Sequence, residues 1–291
     1  MTALLEVNEL TVSYSSGSAL LGRGRSSRVV DGVSFEVGES TTFGLVGESG
    51  AGKSTVGNAI LGLAPISAGS VVFDGVDISS FGRRMPLWYR KAVQVVFQDP
   101  LASLNPRMTV RTSLRHVLTR HWPSLKRAAV DARIDDLLDR VGLQPHHADR
   151  FPRQLSGGQC QRVAIARAIA VEPRLIVCDE AVSALDVSTQ AQVMNLLAKL
   201  QRDMGISYLF VAHDLEVVRH ISNHVGVMYK GSMVESGPVD EVYENPSQDY
   251  TRTLLSATLV PDPAVQRLRR GARTGRVHAL SGTGAELTPE L

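Results

Sequence analysis

Cysteine is nearly absent from this 291-residue chain: Cys160 and Cys178 are too few for a disulfide framework or a cysteine-based metal site. Both read as small packing residues in a reducing compartment. Long apolar runs are missing as well. Segments such as SYLFVAH and AVQVVF meet polar residues far short of the roughly 20 apolar residues that a membrane-crossing helix needs. The N-terminal MTALLEVNELTVSY alternates like a strand and lacks a secretory apolar region, so a soluble, cytosolic chain is expected. Net charge is almost nil, +2 from 31 basic and 29 acidic residues, which gives no electrostatic reason to bind nucleic acid. Lysine is scarce too, only five of those 31, so a motif that demands lysine rarely arises here by accident.

What remains is ordinary globular composition, 43% hydrophobic and 21% charged, on a length that suits one large domain with a small addition. Leu5–Val12 and Val29–Val37 predict strands of an antiparallel sheet, separated by a flexible Ser-, Gly- and Arg-rich loop over Ser15–Arg28. Thr42–Val46 is a short apolar strand that runs through a glycine-rich turn into a helix expected from Ser54 to Leu63, with Pro65 and the Gly69 region closing that unit. Gln94–Phe97, Leu175–Cys178 and Tyr208–Ala212 predict further buried strands, and Val225–Tyr229 with Met233–Glu235 predicts a hairpin around Lys230–Gly231. Between them, Ile134, Leu137, Leu138 and Val141 have helical spacing ending at Gly142, and Val193, Leu196, Leu197 and Leu200 repeat it before Gly205. Another helix is expected from Ser156–Gly157 to Ala170, ahead of Pro173. Strands alternating with helices indicate an α/β fold with a parallel core and helices on both faces.

The chemistry starts at Gly47-Glu48-Ser49-Gly50-Ala51-Gly52-Lys53-Ser54-Thr55, which satisfies G-x-x-x-x-G-K-[ST] between a strand and a helix. The glycines let backbone N–H groups wrap phosphates, the helix start adds a positive dipole end, and Lys53 adds a point charge. Ser54 is placed to ligate Mg²⁺, and the expected ligand is a nucleoside triphosphate. A second apolar strand ends in Asp179 and Glu180: Asp179 would hold Mg²⁺ through its water, and Glu180 would act as general base on the attacking water. At Leu155-Ser156-Gly157-Gly158-Gln159, another helix start preceded by serine and glycines forms a second candidate anion cradle, or an ordinary serine N-cap.

With these motifs in the order VSY, GESGAGKST, VFQDP, LSGGQ, LIVCDE, SALD and VAHD, the chain resembles the ATP-binding cassette (ABC) ATPases over nearly its whole length. The resemblance implies a P-loop cassette with a RecA-like parallel core, an N-terminal antiparallel β subdomain and an α-helical signature subdomain at about 99–165. It implies that Tyr14 stacks on adenine, that Gln98 senses the γ-phosphate side and joins Ser54 and Asp179 at the metal, and that His213 contacts the γ-phosphate. It further implies a head-to-tail dimer in which Ser156, Gly157, Gly158 and Gln159 complete the partner's ATP site, with Asp186 along the seam. Closure of that dimer would be the mechanical output of hydrolysis.

VVDGVSFEVGESTTFGLVGESGAGKST, VFQDPLASLNPRMTV and CDEAVSALDVSTQAQVMNLLAKLQ resemble the F-type ATPase subunits of bacterial oligopeptide and dipeptide importers, and are similar to those of nickel and glutathione importers. Two membrane permeases, a solute-binding protein and a second, different cassette are the partners this implies, at the cytoplasmic face of the cell membrane. A membrane-subunit helix would dock near Gln98–Val110, and no nucleic acid is involved. A soluble, non-transport cassette ATPase is the weaker alternative, because only one cassette is present and no heptads interrupt it. The cassette is expected over 1–240, with an importer-type C-terminal extension and tail over 241–291. Ala181 departs from the family's usual proline, and Gln248–Asp249 departs from its His-Pro before Tyr250. With no cysteine after Cys178, no iron–sulfur centre is expected. The terminal Arg267, Arg269 and Arg270 read as a solvated tail.

Overall fold

The alternating apolar residues of the first forty positions build a long hairpin. In the computed structural model, which describes residues 3–16, 25–82 and 84–257, β1 (Ala3–Ser16) pairs antiparallel with β2 (Arg25–Gly38), Val7 facing Phe35 and Val12 facing Val30. The strands therefore reach into the segment expected as loop, and residues 17–24 lie outside the described residues. β3 (Thr42–Val46) follows, then α1 (Lys53–Ile60). This helix ends at Ile60 rather than Leu63 because Gly62 adopts φ 71 and the Gly62 and Leu63 N–H groups turn back to the Ala59 and Asn58 carbonyls.

The Gly69 region does not close the unit but lies in β4 (Ala68–Phe73), which pairs with β1 and with β5 (Val76–Asp77). Gly69 has φ 81, and a Cβ there would stand 2.2 Å from the Glu9 carbonyl oxygen. Glycine thus permits β4 to cross β1 at the irregularity where Glu9 itself takes φ 48. The resulting antiparallel sheet has the order β2-β1-β4-β5.

The chain continues through α2 (Leu87–Ala92), β6 (Val93–Phe97), α3 (Pro100–Ser103), α4 (Val110–His121), α5 (Arg127–Arg140), α6 (Gly157–Ile169) and β7 (Leu175–Asp179). Then come α7 (Val187–Met204), β8 (Ser207–Val211), α8 (Leu215–Ile221), β9 (His224–Tyr229), β10 (Ser232–Pro238), α9 (Val239–Glu244) and α10 (Asp249–Ala257). The second sheet has the order β10-β9-β3-β8-β7-β6, parallel except for the β10 edge. Val177, Leu209 and Val211 face a core shared with α1 and the antiparallel sheet, while Ile176, Cys178, Tyr208 and Phe210 face the core shared with α4–α8. Two-residue alternation along each strand makes this division. Each such large side chain contributes about 1.5–3 kcal/mol on burial. The expected tail arginines lie outside the described residues.

Register fixes what matters for chemistry. Leu45 pairs with Val211, Val211 with Asp179, and Asp179 with Phe97. The carboxyl ends of β3, β8, β7 and β6 therefore share one edge, the place where open parallel sheets hold ligands.

Candidate active site

Between β3 and α1, residues 47–52 form a loop that only glycine can shape at two points. Gly47 has φ 147 and a Cβ there would lie 2.2 Å from the Met228 carbonyl oxygen; Gly52 has φ 100 and would meet the Val29 carbonyl oxygen at 2.8 Å. The β9–β10 turn braces the loop from outside: Gly231 N–H donates to the Ala51 carbonyl at 3.1 Å, and Asp31 N–H donates to the Gly231 carbonyl at 2.9 Å. Glu48, Ser49 and Gly50 are exposed, whereas Ala51, Gly52 and Lys53 are buried. No side chain caps α1 at Gly52, so its first N–H groups stay available to an anion.

Lys53 is only 5% exposed. Its ammonium donates to the Gly47 carbonyl at 2.7 Å and the Glu48 carbonyl at 2.8 Å, so the loop closes on its own cation. Burial lowers its pKa, against the pull of Glu180 and Asp179. Ser54 follows on α1 and donates its hydroxyl to Asp179 Oδ1 at 2.8 Å. Burial pushes the Asp179 carboxyl above its usual range, the Ser54 bond lowers it, Glu180 raises it further and Lys53 opposes. Thr55 continues the helix, half-buried.

Immediately past β7, Glu180 takes φ 49, with its N–H held by the Val211 carbonyl at 2.9 Å. That left-handed turn swings the carboxylate off the strand direction. His213, two residues past β8, puts Nδ1 3.4 Å from Glu180 Oε1. With Ser183, Gln190 and Asp214, this pair borders a recess of about 70 Å³, room for one or two waters. Ser183, whose hydroxyl donates to the Glu180 carbonyl at 2.9 Å, was not singled out from sequence. Gln98 lies directly past β6, exposed and beside the same edge. Tyr14 is 43% exposed on β1, two residues beyond Val12, whose partner Val30 would stand 3.4 Å from a Cβ on Gly52.

The second glycine motif makes no hydrogen bond to the phosphate loop. Ser156 caps α6: its hydroxyl accepts from Gln159 N–H at 3.2 Å while Gln159 Oε1 accepts from Ser156 N–H at 2.9 Å. Both side chains are thus committed to a capping box, leaving the Gly157 and Gly158 N–H groups as the free donors. Gln159 Nε2 also lies 3.1 Å from His147 Nε2. Asp186 has a local task as well. It caps α7, accepting from Thr189 N–H at 2.9 Å and from the Ser188 and Thr189 hydroxyls, bonds that hold its pKa far below the usual carboxylate range.

A family model described as "ABC transporter" matches residues 30–183. The chain is 46% identical to an oligopeptide transport ATP-binding protein, OppF, of Streptococcus mutans, over 98% of this chain and 91% of that one. It is 48% identical to a glutathione import ATP-binding protein, GsiA, of Salmonella typhimurium, over 92% of this chain and 43% of that one. Among solved structures, it is similar to the dimeric ATP-binding cassette MJ0796 in a post-hydrolysis state bound to ADP and Pi. That match has a TM-score of 0.68 and 26% identity, covering 81% of this chain and 98% of that one.

Proposed function

The chain belongs to the ABC transporter family, and from that premise we propose that it is the ATP-hydrolysing subunit that powers import of oligopeptides or dipeptides. The observation that carries the hydrolytic part is the meeting of the Lys53 loop, the Ser54–Asp179 pair and the Glu180–His213 pair at one edge of a parallel sheet. The cargo class rests on the likeness to the Streptococcus mutans oligopeptide protein.

In this reading Gly47 to Thr55 cradle the triphosphate and Tyr14 stacks on adenine. A water in the recess attacks the γ-phosphorus, Glu180 takes its proton, and the bond to the β–γ bridging oxygen breaks to give ADP and phosphate. His213 and Gln98 contact the γ-phosphate side. The donors that these residues offer are all oxygens: the Ser54 hydroxyl, the Asp179 carboxylate and the Gln98 amide. Among the described residues no cluster of three His, Cys, Asp or Glu offers a cage to a softer metal. That set fits a small hard cation whose other ligands are phosphate and water, so Ser54, Asp179 and Gln98 would hold Mg²⁺. Mg²⁺ held there would neutralise phosphate charge.

The free N–H groups of Gly157 and Gly158, with Ser156 and Gln159 shaping the turn, act on the ATP of a second, different cassette placed head to tail, with Asp186 at the seam. That this turn makes no hydrogen bond to the chain's own loop supports this assignment. An open groove of about 390 Å³ is lined by Leu61, Leu63, Met85, Tyr89, Arg90 and Gln94, and the neighbouring residues in sequence, Leu87 and Trp88, are exposed. The Gln98–Val110 segment, where Leu101 is half-exposed, would receive a helix of a membrane permease. Among the described residues no helix is long and apolar enough to cross a membrane; in this reading two permeases and a solute-binding protein are the chain's partners. The cassette, 1–240, sits on the cytoplasmic membrane face and carries its extension at 241–291.

Replacing Glu180 with Gln tests the proposal. ATP binding should persist while turnover falls at least about 10²-fold, the scale of a lost general base. In cells lacking the wild-type chain, labelled oligopeptide uptake should return with wild type and not with E180Q. Restored uptake of glutathione alone would move the cargo to the reading that the Salmonella relative favours. Wild-type turnover by E180Q would remove Glu180 as the base.

A further inference from the structure

The C-terminal helix reaches the phosphate loop. Tyr250, in the first turn of α10, places its hydroxyl 3.4 Å from the Glu48 backbone N–H, which donates to it across 202 residues of sequence. The other side of the same peptide unit is the Gly47 carbonyl, which accepts from the Lys53 ammonium at 2.7 Å. One peptide plane is therefore held at both ends, by the catalytic lysine and by a tyrosine from beyond the last strand.

The tyrosine is itself anchored. Its ring lies 4.3 Å from the Tyr229 ring at 39°, and Tyr229 leads into the Lys230–Gly231 turn that braces Ala51. Glu235 on β10 accepts from Ser247 N–H at 2.6 Å, the Ser247 hydroxyl at 2.8 Å and Gln248 N–H at 3.2 Å, tying down the start of α10. Arg252 adds bonds to the Pro246 and Ser247 carbonyls.

We propose that Tyr250 is a positioning residue for nucleotide binding: its hydroxyl fixes the Gly47–Glu48 peptide so that the Gly47 carbonyl keeps the Lys53 ammonium aimed into the loop. This rests on the reading of Gly47–Thr55 as the ATP loop. Without the hydroxyl the Glu48 N–H must turn to water, the peptide is free to rotate, and Lys53 loses a fixed seat. The C-terminal extension thereby sets ATP affinity from outside the cassette.

Tyr250→Phe in the full chain removes the acceptor and keeps the ring on Tyr229. One hydrogen bond to an exposed loop predicts a rise of about three- to tenfold in both the ATP KM and the dissociation constant of a fluorescent ATP analogue. The kcat should stay within about twofold, since the hydroxyl is remote from the bond that breaks. Amide hydrogen exchange should quicken in the peptide containing Glu48 and not in those from β7 or β8. Glu235→Gln, which loosens the anchor while keeping Tyr250, should raise KM in the same direction by less. Unchanged KM, affinity and exchange in Y250F overturn the proposal, as does an equal loss of kcat and thermal stability. A wild-type chain that binds no ATP overturns the underlying ATP reading instead.

Discussion

Asp179 holds a charge that its surroundings disfavour. Burial raises its pKa and Glu180 next to it raises it further, while the Ser54 hydroxyl and Lys53 only partly offset this. A carboxyl whose folded pKa lies above its unfolded value favours the native state most at low pH. That advantage is lost as pH rises from the unfolded pKa through the folded one, so at neutral pH the ionised Asp179 costs stability. Asp179→Asn keeps an acceptor for Ser54 and removes the charge. The nucleotide-free variant should gain about 1 kcal/mol, or about 2–4 °C in Tm, at pH 7–8, with the gain shrinking as pH falls towards 4. With ATP and Mg²⁺ the order should reverse, because the wild type gains more from binding. Thermal melts with and without nucleotide check both halves; a variant less stable than wild type in the absence of nucleotide would contradict the account. Lys53 shares this condition from the opposite sign, its ammonium destabilised by burial and retained by two carbonyls. In the proposed reading Lys53 is held ready for a polyanion and Asp179 for the cation that accompanies it, at some cost to the nucleotide-free protein.

At the scale of helices, the start of α6 is packed against the start of α7. A Cβ on Gly158 would stand 2.4 Å from Thr189 Cγ2, and Thr189 is fixed by two bonds to Asp186. Alanine is the better helix former by about 1 kcal/mol, yet here the clash should dominate and Gly158→Ala should destabilise by about 1–3 kcal/mol. Thr189→Ser deletes Cγ2 and keeps the hydroxyl that Asp186 accepts from. The double variant should recover most of the loss in a chemical denaturation cycle, and simple additivity of the two changes would refute the contact. Such pairings explain what was legible beforehand. The phosphate loop could be read because strand, turn and helix are contiguous, and α5 and α7 because their apolar period survives in one segment. The capping box at Ser156–Gln159 also had a signal, the S-x-x-Q spacing, although sequence alone left cap and anion cradle as alternatives. The Gly158–Thr189 abutment, the course of β4 beside β1 and the Tyr250–Glu48 bond had none. Each joins segments whose neighbourhood exists only after the sheets are assembled.

Across the whole molecule, the six-stranded sheet divides two cores without separating them. Leu175 and Val177 pack to one side and Ile176 and Cys178 to the other, so β7 cannot leave either core alone. The helical segment shares the core of Ile176 and Cys178 and carries charged contacts in addition. Arg111 reaches Asp131, Asp135 and Asp149 at 3.8, 3.7 and 3.2 Å on the surface, and such pairs contribute only about 0.2–1 kcal/mol each. Lys91 and Arg133 both lie over the Trp122 ring, 4.5 and 4.6 Å from its centre, and these contacts too are sensitive to charge. The two cysteines sample these two parts. Cys160 sits in the first turns of α6 with its thiol on the Pro152 carbonyl at 3.4 Å, and Cys178 lies within β7. Both are fully buried, and burial raises both thiol pKa values. Neither should react quickly with a thiol reagent in the native chain. In sub-denaturing urea, single-cysteine variants C160S and C178S should show Cys160 labelling first, through partial opening of the helical segment, and Cys178 only with global unfolding. Adding 1 M KCl should hasten Cys160 labelling by screening the surface pairs, with little effect on Cys178 beyond any change in global stability. Coincident labelling of both thiols at every urea and salt concentration would mean that the helical segment and the sheet unfold as one unit. Any motion of α6 would then carry with it β7, the strand that ends in Asp179.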